Sequence, residues 1–512
     1  MHDILASFGI LLQPATFALI TISTALGIVL GAIPGLSGGL GVALLLPLTF
    51  GMEPETGLAM LISIWVGGIS GAMIGSILLG IPGSPSSIAT TFDGYPMTRN
   101  GQAVKALGAS ITASFFSTVL SILIALVLSP LMARLALKMG PWEYFSLGFC
   151  AISLVAALAR DGVFHGLAAA AFGLILASVG FAPIDGNPRF TFGNLYLNSG
   201  FDLVSVMLGL FAFKQIVVDF AKGEQQIPQV DSSDIRGFGV TLKEYKDNIW
   251  NIFRSFFIGL WIGFLPGMGS SLSNMVAYAQ AKSASRHPEK FGKGCIDGVF
   301  ASEASNNAAV GGSLIPMVAL GIPGDGVTAI LLGGLMIHGV QAGPLLFDNN
   351  PEIVYALFLT SLIAAVLVLI MQFWGMRLFP AILKIPYHYL YPAIIVLGFM
   401  GVFVGSSTAF NYILLLGFAG LGLVMDRFRL PVGPFLLAFI LAPMLELNLR
   451  RGLTYTDDGI LPFFTRPVST LLLAAAFFSI VSPYLLPWLK ARKVKKAEAN
   501  AQTSRESGAN VN

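Results

Sequence analysis

The stretch Gly80-Ile81-Pro82-Gly83 returns as Gly321-Ile322-Pro323-Gly324, and both copies interrupt long apolar runs in which a continuous helix is otherwise expected. A second doublet travels with the first: Gly31-Ala32-Ile33-Pro34-Gly35 recurs as Gly263-Phe264-Leu265-Pro266-Gly267. Pro82 follows Pro34 by 48 residues and Pro323 follows Pro266 by 57, so order and approximate spacing are kept. Proline removes a backbone donor and clashes with the preceding turn, while glycine accepts conformations that other residues avoid, so each Pro-Gly leaves amides and carbonyls unpaired. At membrane depth such backbone is tolerated only where it is buried in protein or lines an aqueous cavity. Paired interruptions at matching places in two halves are the sequence pointer to the substrate site of a secondary transporter.

The surroundings place these breaks in a membrane. Of 512 residues, 55% are hydrophobic and 11% charged, and the mean hydropathy is +0.79. Low-charge windows such as 16–33, 58–79, 106–131, 200–218, 353–374 and 468–489 have lengths suited to a hydrocarbon layer of about 30 Å. The expected fold is an all-α polytopic membrane protein: two inverted-topology repeats with Pro-Gly-broken helices or re-entrant hairpins, in about 12–15 hydrophobic segments. A net charge of +3, with bases spread over loops, argues against a nucleic-acid partner. Cys150 and Cys295 read as small hydrophobes, and Trp142 and Tyr144 as part of an interfacial aromatic belt. The first span, beginning near Thr16 with no basic lead, reads as a retained helix and not a cleaved signal.

Loop charges in the two halves are swapped. Glu53 and Glu55 lie between the two breaks of the first half with no base, whereas the second-half counterpart carries Lys282, Arg286, Lys290 and Lys293. After Gly-Ile-Pro-Gly the pattern reverses, with Arg99 and Lys105 in the first half but Asp348 and Glu352 in the second. Cytoplasmic loops collect Lys and Arg, so the halves are expected to enter from opposite sides, with the N-terminus outside and the C-terminus inside. Arg134, Lys138, Arg189, Arg450, Arg451 and Arg466 fall outside in this arrangement, against the rule. The expected units are a first repeat over 1–222, a polar cytoplasmic linker over 223–248, a second repeat with an extra C-terminal helix over 249–490, and a disordered tail over 491–512.

Chemistry at the breaks is neutral and donor-rich. Candidate substrate-binding residues are Pro34, Gly35, Ser37 and Gly38 at the first break, and Pro82, Gly83, Ser84, Ser86 and Ser87 at the second. Pro266, Gly267 and Ser270 follow at the third break, and Asn307, Pro323 and Gly324 at or upstream of the fourth. Helix restarts aim unpaired amides and a positive dipole end at the break, which suits a carboxylate. The competing explanation is that Gly and Ser only permit close helix packing. Asp325 and Thr328 are candidates for holding a coupling cation or proton, with a helix cap as the alternative for Asp325. Asp297 and Glu303 are expected near the cytoplasmic surface. No phosphate loop, no metal-binding histidine spacing and no catalytic constellation occurs in the sequence, so no metal, cofactor or enzyme activity is expected, and a channel or intramembrane enzyme is the alternative class.

Read together, Gly31-Ala-Ile-Pro-Gly-Leu-Ser-Gly-Gly-Leu-Gly, the block from Gly80 to Pro96, Gly263-Phe-Leu-Pro-Gly-Met-Gly and Glu303-Ala-Ser-Asn-Asn-Ala-Ala before Gly321 resemble the large membrane subunit of tripartite tricarboxylate transporters, the TctA type. The similarity spans roughly residues 1–490. It implies a bacterial inner-membrane permease working with a small four-helix membrane subunit and a periplasmic solute-binding protein that delivers a carboxylate. It further implies import driven by cotransported Na⁺ or H⁺ and not by ATP. A homodimer is a further possibility for the assembly.

Overall fold

The computed structural model describes residues 2–157, 159, 162–222, 239–383, 387–406, 408–483 and 485. Most of the expected linker and the whole tail lie outside the described residues.

The first repeat begins with α1 (His2–Leu11) and α2 (Pro14–Ala32), followed by α3 (Gly38–Leu45), α4 (Pro54–Leu78), α5 (Ile88–Arg99) and α6 (Ala103–Ala136). Then come α7 (Pro141–Ala157), α8 (Val163–Ala177), the two-residue strands β1 (Gly180–Phe181) and β2 (Pro188–Arg189), α9 (Leu203–Met207), a π-helical turn over 208–213 and α10 (Lys214–Lys222). The second repeat follows with α11 (Leu242–Phe264), α12 (Gly269–Ala284), α13 (Ile296–Leu320), α14 (Gly326–Ile337), α15 (Leu346–Asn349) and α16 (Pro351–Gly375). It ends with α17 (Phe379–Ile382), α18 (Tyr387–Ser406), α19 (Phe410–Arg427), α20 (Val432–Thr454) and α21 (Leu461–Thr465), and α22 (Pro467–Pro483). Seven described helices are long and apolar enough to cross a membrane. The chain is a multi-pass, essentially all-α protein.

Local chemistry sets the boundaries. Proline opens α2, α4 and α16, where its missing N–H costs nothing. Thr241 and Glu244 form a reciprocal capping box at the start of α11, and left-handed Gly321 closes α13, as glycine does without a Cβ penalty.

Contacts between α2 and α4 show that the two run side by side in the same direction. Thr16 meets Thr56 at 3.4 Å, Gly27 packs on the Ile64 carbonyl and Gly31 on that of Gly68. α3 then returns along α4, with Gly38 at Gly68 and Gly41 at Ile64. The second repeat repeats this arrangement: Asn251 of α11 donates to the Asp297 carbonyl at 2.9 Å, Gly259 meets Ser305 and Gly263 meets Ala309. α12 returns along α13 through Ser273 and the Ser305 carbonyl at 3.3 Å. Each repeat therefore drives a hairpin inward whose tip is a Pro-Gly. Small residues let these backbones touch, which is how helices associate where no hydrophobic gain is available.

The two hairpins enter from opposite faces. The outer end of α4 lies with the end of α14, where Thr49 meets His338 at 3.1 Å and Gly57 packs on the same ring, and α1 meets the start of α16, where Ser7 donates to the Glu352 carbonyl at 2.9 Å. The outer end of α13 lies instead against α5, where Asp93 binds the Gly292, Gly294 and Cys295 amides at 2.8–2.9 Å. So Arg99–Lys105 and Lys282–Lys293 share one face, and Glu53–Glu55 and Asp348–Glu352 share the other, as the swapped charges predict. The halves also exchange helices: α6 packs along α13, α16 along α4, α20 against α7 and α8, and α19 against the π-helical turn and α10. Large apolar side chains such as Val127, Phe164, Trp250 and Trp374 point outward, as a lipid-facing surface requires.

Three of the off-rule arginines prove to be neutralised. Arg189 pairs with Glu446 at 2.8 Å, Arg450 with Asp185 at 2.7 Å and with Glu446 at 2.9 Å, and Arg466 with Glu143 at 2.5 Å. Trp142 departs from the belt expected for it: its ring is buried, donates to the Gly452 carbonyl at 2.9 Å and lies under the Arg466 guanidinium. The indole N–H finds its partner inside the protein, which removes the reason to sit at the lipid interface.

Candidate functional site

The four breaks form a closed ring of contacts. Gly83 of the second break has no room for a side chain against the Gly31 carbonyl of the first. A methyl group on Gly39, just past the first break, would stand 3.0 Å from Val327, just past the fourth. Gly324 would place one 2.7 Å from the Gly263 carbonyl at the third break, and Gly269 lies directly against Asp325. The ring closes through α12, whose Asn274 amide donates to the Ser86 carbonyl.

Backbone geometry at the breaks is duplicated as well. Gly35 and Gly267 have φ of +86° and +73°, and Gly80 and Gly321 both have +71°, conformations that side chains other than glycine's disfavour. After α4 the chain doubles back, so that a methyl on Gly75 would lie 3.0 Å from the Ile81 carbonyl. The helix is therefore not merely kinked: an extended segment re-enters and α5 leads out again. Its restart is capped by Ser84 and Ser87 acting reciprocally, and α14 is capped the same way by Asp325 and Thr328.

The sequence candidates fall into three groups. Pro34, Gly38, Pro323, Gly324, Gly83, Ser86, Ser87 and Ser270 are buried in the ring region, while Ser37, Pro82, Ser84, Pro266 and Gly267 are half-buried and Gly35 is exposed. Gly35 faces Asp219 of α10, and Gly267 faces Val155 of α7, two neighbours that the sequence did not indicate. Ser84 and Ser86 hydroxyls meet at 2.7 Å, and Ser37 caps the Leu40 amide at 3.1 Å. The start of α12, beside buried Ser270, has no side-chain cap, so its first amides remain available to a ligand.

Asp325 serves as the N-cap of α14: Oδ1 accepts from the amides of Val327 at 3.1 Å and Thr328 at 2.8 Å, and from the Thr328 hydroxyl at 2.8 Å. Its other oxygen lies toward Gly269. Asn307 turns away from the breaks, donating to Ser114 of α6 at 2.8 Å and to the Glu303 carbonyl at 3.1 Å.

Glu303 corrects the expectation of a surface position: its side chain is fully buried. It lies two turns inside α13, where α5 and α6 close over it with hydroxyls. Oε1 is 2.5 Å from the Thr90 hydroxyl, and Oε2 accepts from Ser114 at 3.1 Å and Asn307 at 3.4 Å. The i, i+4 spacing of Glu303 and Asn307 was the available signal. Asp297 stays half-buried at the start of the helix, as expected. Near the ring, the Asn274 carbonyl oxygen is buried without a hydrogen-bond partner among the described residues, which is rare unless a water, an ion or a ligand occupies the site. The described residues include no cluster of His, Cys, Asp or Glu able to hold a metal ion.

Comparison with known proteins places the chain. The family model described as "Tripartite tricarboxylate transporter TctA family" matches residues 17–437. An uncharacterized 52.8 kDa protein in the TAR-I ttuC′ 3′ region of Agrobacterium vitis is 32% identical over 488 residues, covering 95% of this chain and 97% of that protein. An uncharacterized protein in the TAR-II ttuC′ 3′ region of the same organism is 31% identical over 235 residues, 46% of this chain and 97% of its own length. No solved structure matches. The chain belongs to the tripartite tricarboxylate transporter TctA family and is the membrane component of such a transporter, which works with other subunits.

Proposed function

We propose that this protein is the permease that imports a di- or tricarboxylate, citrate-like or another organic acid, across the bacterial inner membrane by ion-gradient-driven alternating access. The N-terminus lies in the periplasm and the C-terminus in the cytoplasm. A periplasmic solute-binding protein delivers the substrate, and a small four-helix membrane subunit completes the complex, in which this chain pairs with a second copy of itself. The observation that carries the reading is the ring of four breaks, contributed equally by two oppositely directed repeats. It supports a site that either repeat can open by moving against the other.

In this reading the carboxylate is held by break backbone, by Ser84, Ser86, Ser87 and Ser270, and by the amides that open α12, with no arginine among them. Asn274 offers an unpartnered carbonyl oxygen beside it. A cotransported Na⁺ or H⁺ offsets the anion's charge, with the free oxygen of Asp325 and the Thr328 hydroxyl as its place.

The test is accumulation of a panel of labelled di- and tricarboxylates by cells carrying all three subunits. At least one should accumulate against its gradient, stop when an ionophore collapses the ion gradients, and require each subunit. Failure of every carboxylate to accumulate, or accumulation that survives the ionophore, contradicts the proposal.

A further inference from the structure

The two repeats superimpose in register, since Gly83 and Gly324, Ser84 and Asp325, and Gly71 and Gly312 are each 241 residues apart and make matching contacts. This register shows what the fold needs at the Glu303 cluster. The first-repeat counterparts of Ser302, Glu303 and Asn307 are Leu61, Ile62 and Val66, and the second-repeat counterpart of Thr90 is Leu331. All four are buried and apolar. The same packing is thus achieved with hydrocarbon in one half and with a carboxyl, two hydroxyls and an amide in the other, so architecture alone does not require the polar set.

Among the described residues no Lys, Arg or His pairs with Glu303. The titratable groups on the surrounding helices are engaged elsewhere. Asp93 of α5 holds Tyr278 of α12 and the 292–295 amides, and Lys105 of α6 pairs with Glu244 of α11. Tyr245 and Arg254 of α11 bond Thr112 and Asn251, and Asp297 sits at the outer end of α13. An unpaired buried carboxylate costs several kcal/mol in order of magnitude.

Hydroxyl bookkeeping indicates the alternative. Ser302 donates its one proton to the Val299 carbonyl at 3.1 Å, and its oxygen lies 3.0 Å from Thr90, which has one proton to give. If Thr90 donates to Ser302, the 2.5 Å contact with Oε1 needs a proton from Glu303. The neutral acid then completes a one-way chain from Glu303 to Thr90 to Ser302 to Val299, while Oε2 accepts from Ser114 and Asn307. If Glu303 releases its proton to water, rotation of the single Thr90 hydroxyl from Ser302 to Oε1 restores a donor to the carboxylate.

We propose that Glu303 is a proton-binding site of the membrane core, neutral while Thr90 of α5 donates to Ser302 and discharged when a shift of α5 turns the Thr90 hydroxyl onto Oε1. Because α5 begins at Ser84–Ser87, in the substrate ring, the site ties proton release to substrate-driven movement. That tie rests on the transport reading above, whereas the protonation itself does not.

The experiment is an infrared titration of the purified full-length chain in sodium-free detergent buffer, from about pH 5 to pH 9, comparing the native protein with Glu303→Gln and Thr90→Val. The native chain should show a neutral-carboxyl carbonyl band at neutral pH that bleaches reversibly at higher pH. Glu303→Gln should lack it, and Thr90→Val should shift its frequency, which a chain that folds but loses only one hydrogen bond can still report. Identical spectra for the native chain and Glu303→Gln overturn the proposal, as does a band that never bleaches. Bleaching by added sodium at constant pH also overturns it, because the site would then belong to that cation. None of these outcomes depends on which carboxylate is carried.

Discussion

Gly83 and Gly324 show why residue identity at the breaks is constrained by contact and not only by backbone angle. Neither has positive φ, yet each abuts a carbonyl, Gly31 and Gly263 respectively. Gly83→Leu and Gly324→Leu should abolish carboxylate uptake. The membrane level seen by immunoblot should stay near normal, because overpacking of this kind costs about 1–3 kcal/mol and adds no charge. Asp325→Asn separates the two roles of that residue. Asparagine caps a helix about as well as aspartate, so expression and melting temperature should change little. Its neutral side chain cannot balance a cation, so dependence of uptake on the imposed ion gradient should weaken at least several-fold. Unchanged gradient dependence would leave Asp325 as a cap and nothing more.

At the scale of elements, the re-entrant helix α5 is anchored at its middle by Asp93, whose buried carboxylate takes three backbone amides and the Tyr278 hydroxyl. Asp93→Ala leaves those buried donors without a partner and should lower stability by on the order of 3 kcal/mol or more, read as a drop in melting temperature of the detergent-solubilised chain. A melting temperature equal to that of the native protein would show that the 285–295 connection is held by other contacts. The breaks themselves were legible in the sequence because proline and glycine state their backbone consequence locally. The doubling back after Leu78 was not, since only the approach of Ile81 to Gly75 distinguishes a re-entrant segment from a kink. Glu303 was placed too near the surface for a similar reason. Its depth depends on Thr90 and Ser114, which are 213 and 189 residues away in the chain.

For the whole molecule, the exchange of α6 and α16 between halves explains why neither repeat is a self-contained bundle. It also puts the polar set of Thr90, Ser114 and Glu303 at a junction between repeats. Alternation of loop charge predicted which faces the connections share, and the contacts of Asp93 with the 292–295 segment and of Thr49 with His338 agree with it. The pairing of Arg189 with Glu446, Arg450 with Asp185 and Arg466 with Glu143 lay beyond the sequence, because each partner is more than a hundred residues distant; only the i, i+4 spacing of Glu446 and Arg450 was there to be read. The claim on which the site and the alternating access both depend is that the repeats are inverted across the membrane. Single cysteines on a background lacking Cys150 and Cys295, labelled in intact cells with a membrane-impermeant maleimide, test it directly. Positions 53 and 348 should label from outside, while positions 99 and 286 should label only after the cytoplasmic side is exposed. Strong labelling at 286 in intact cells would contradict the account.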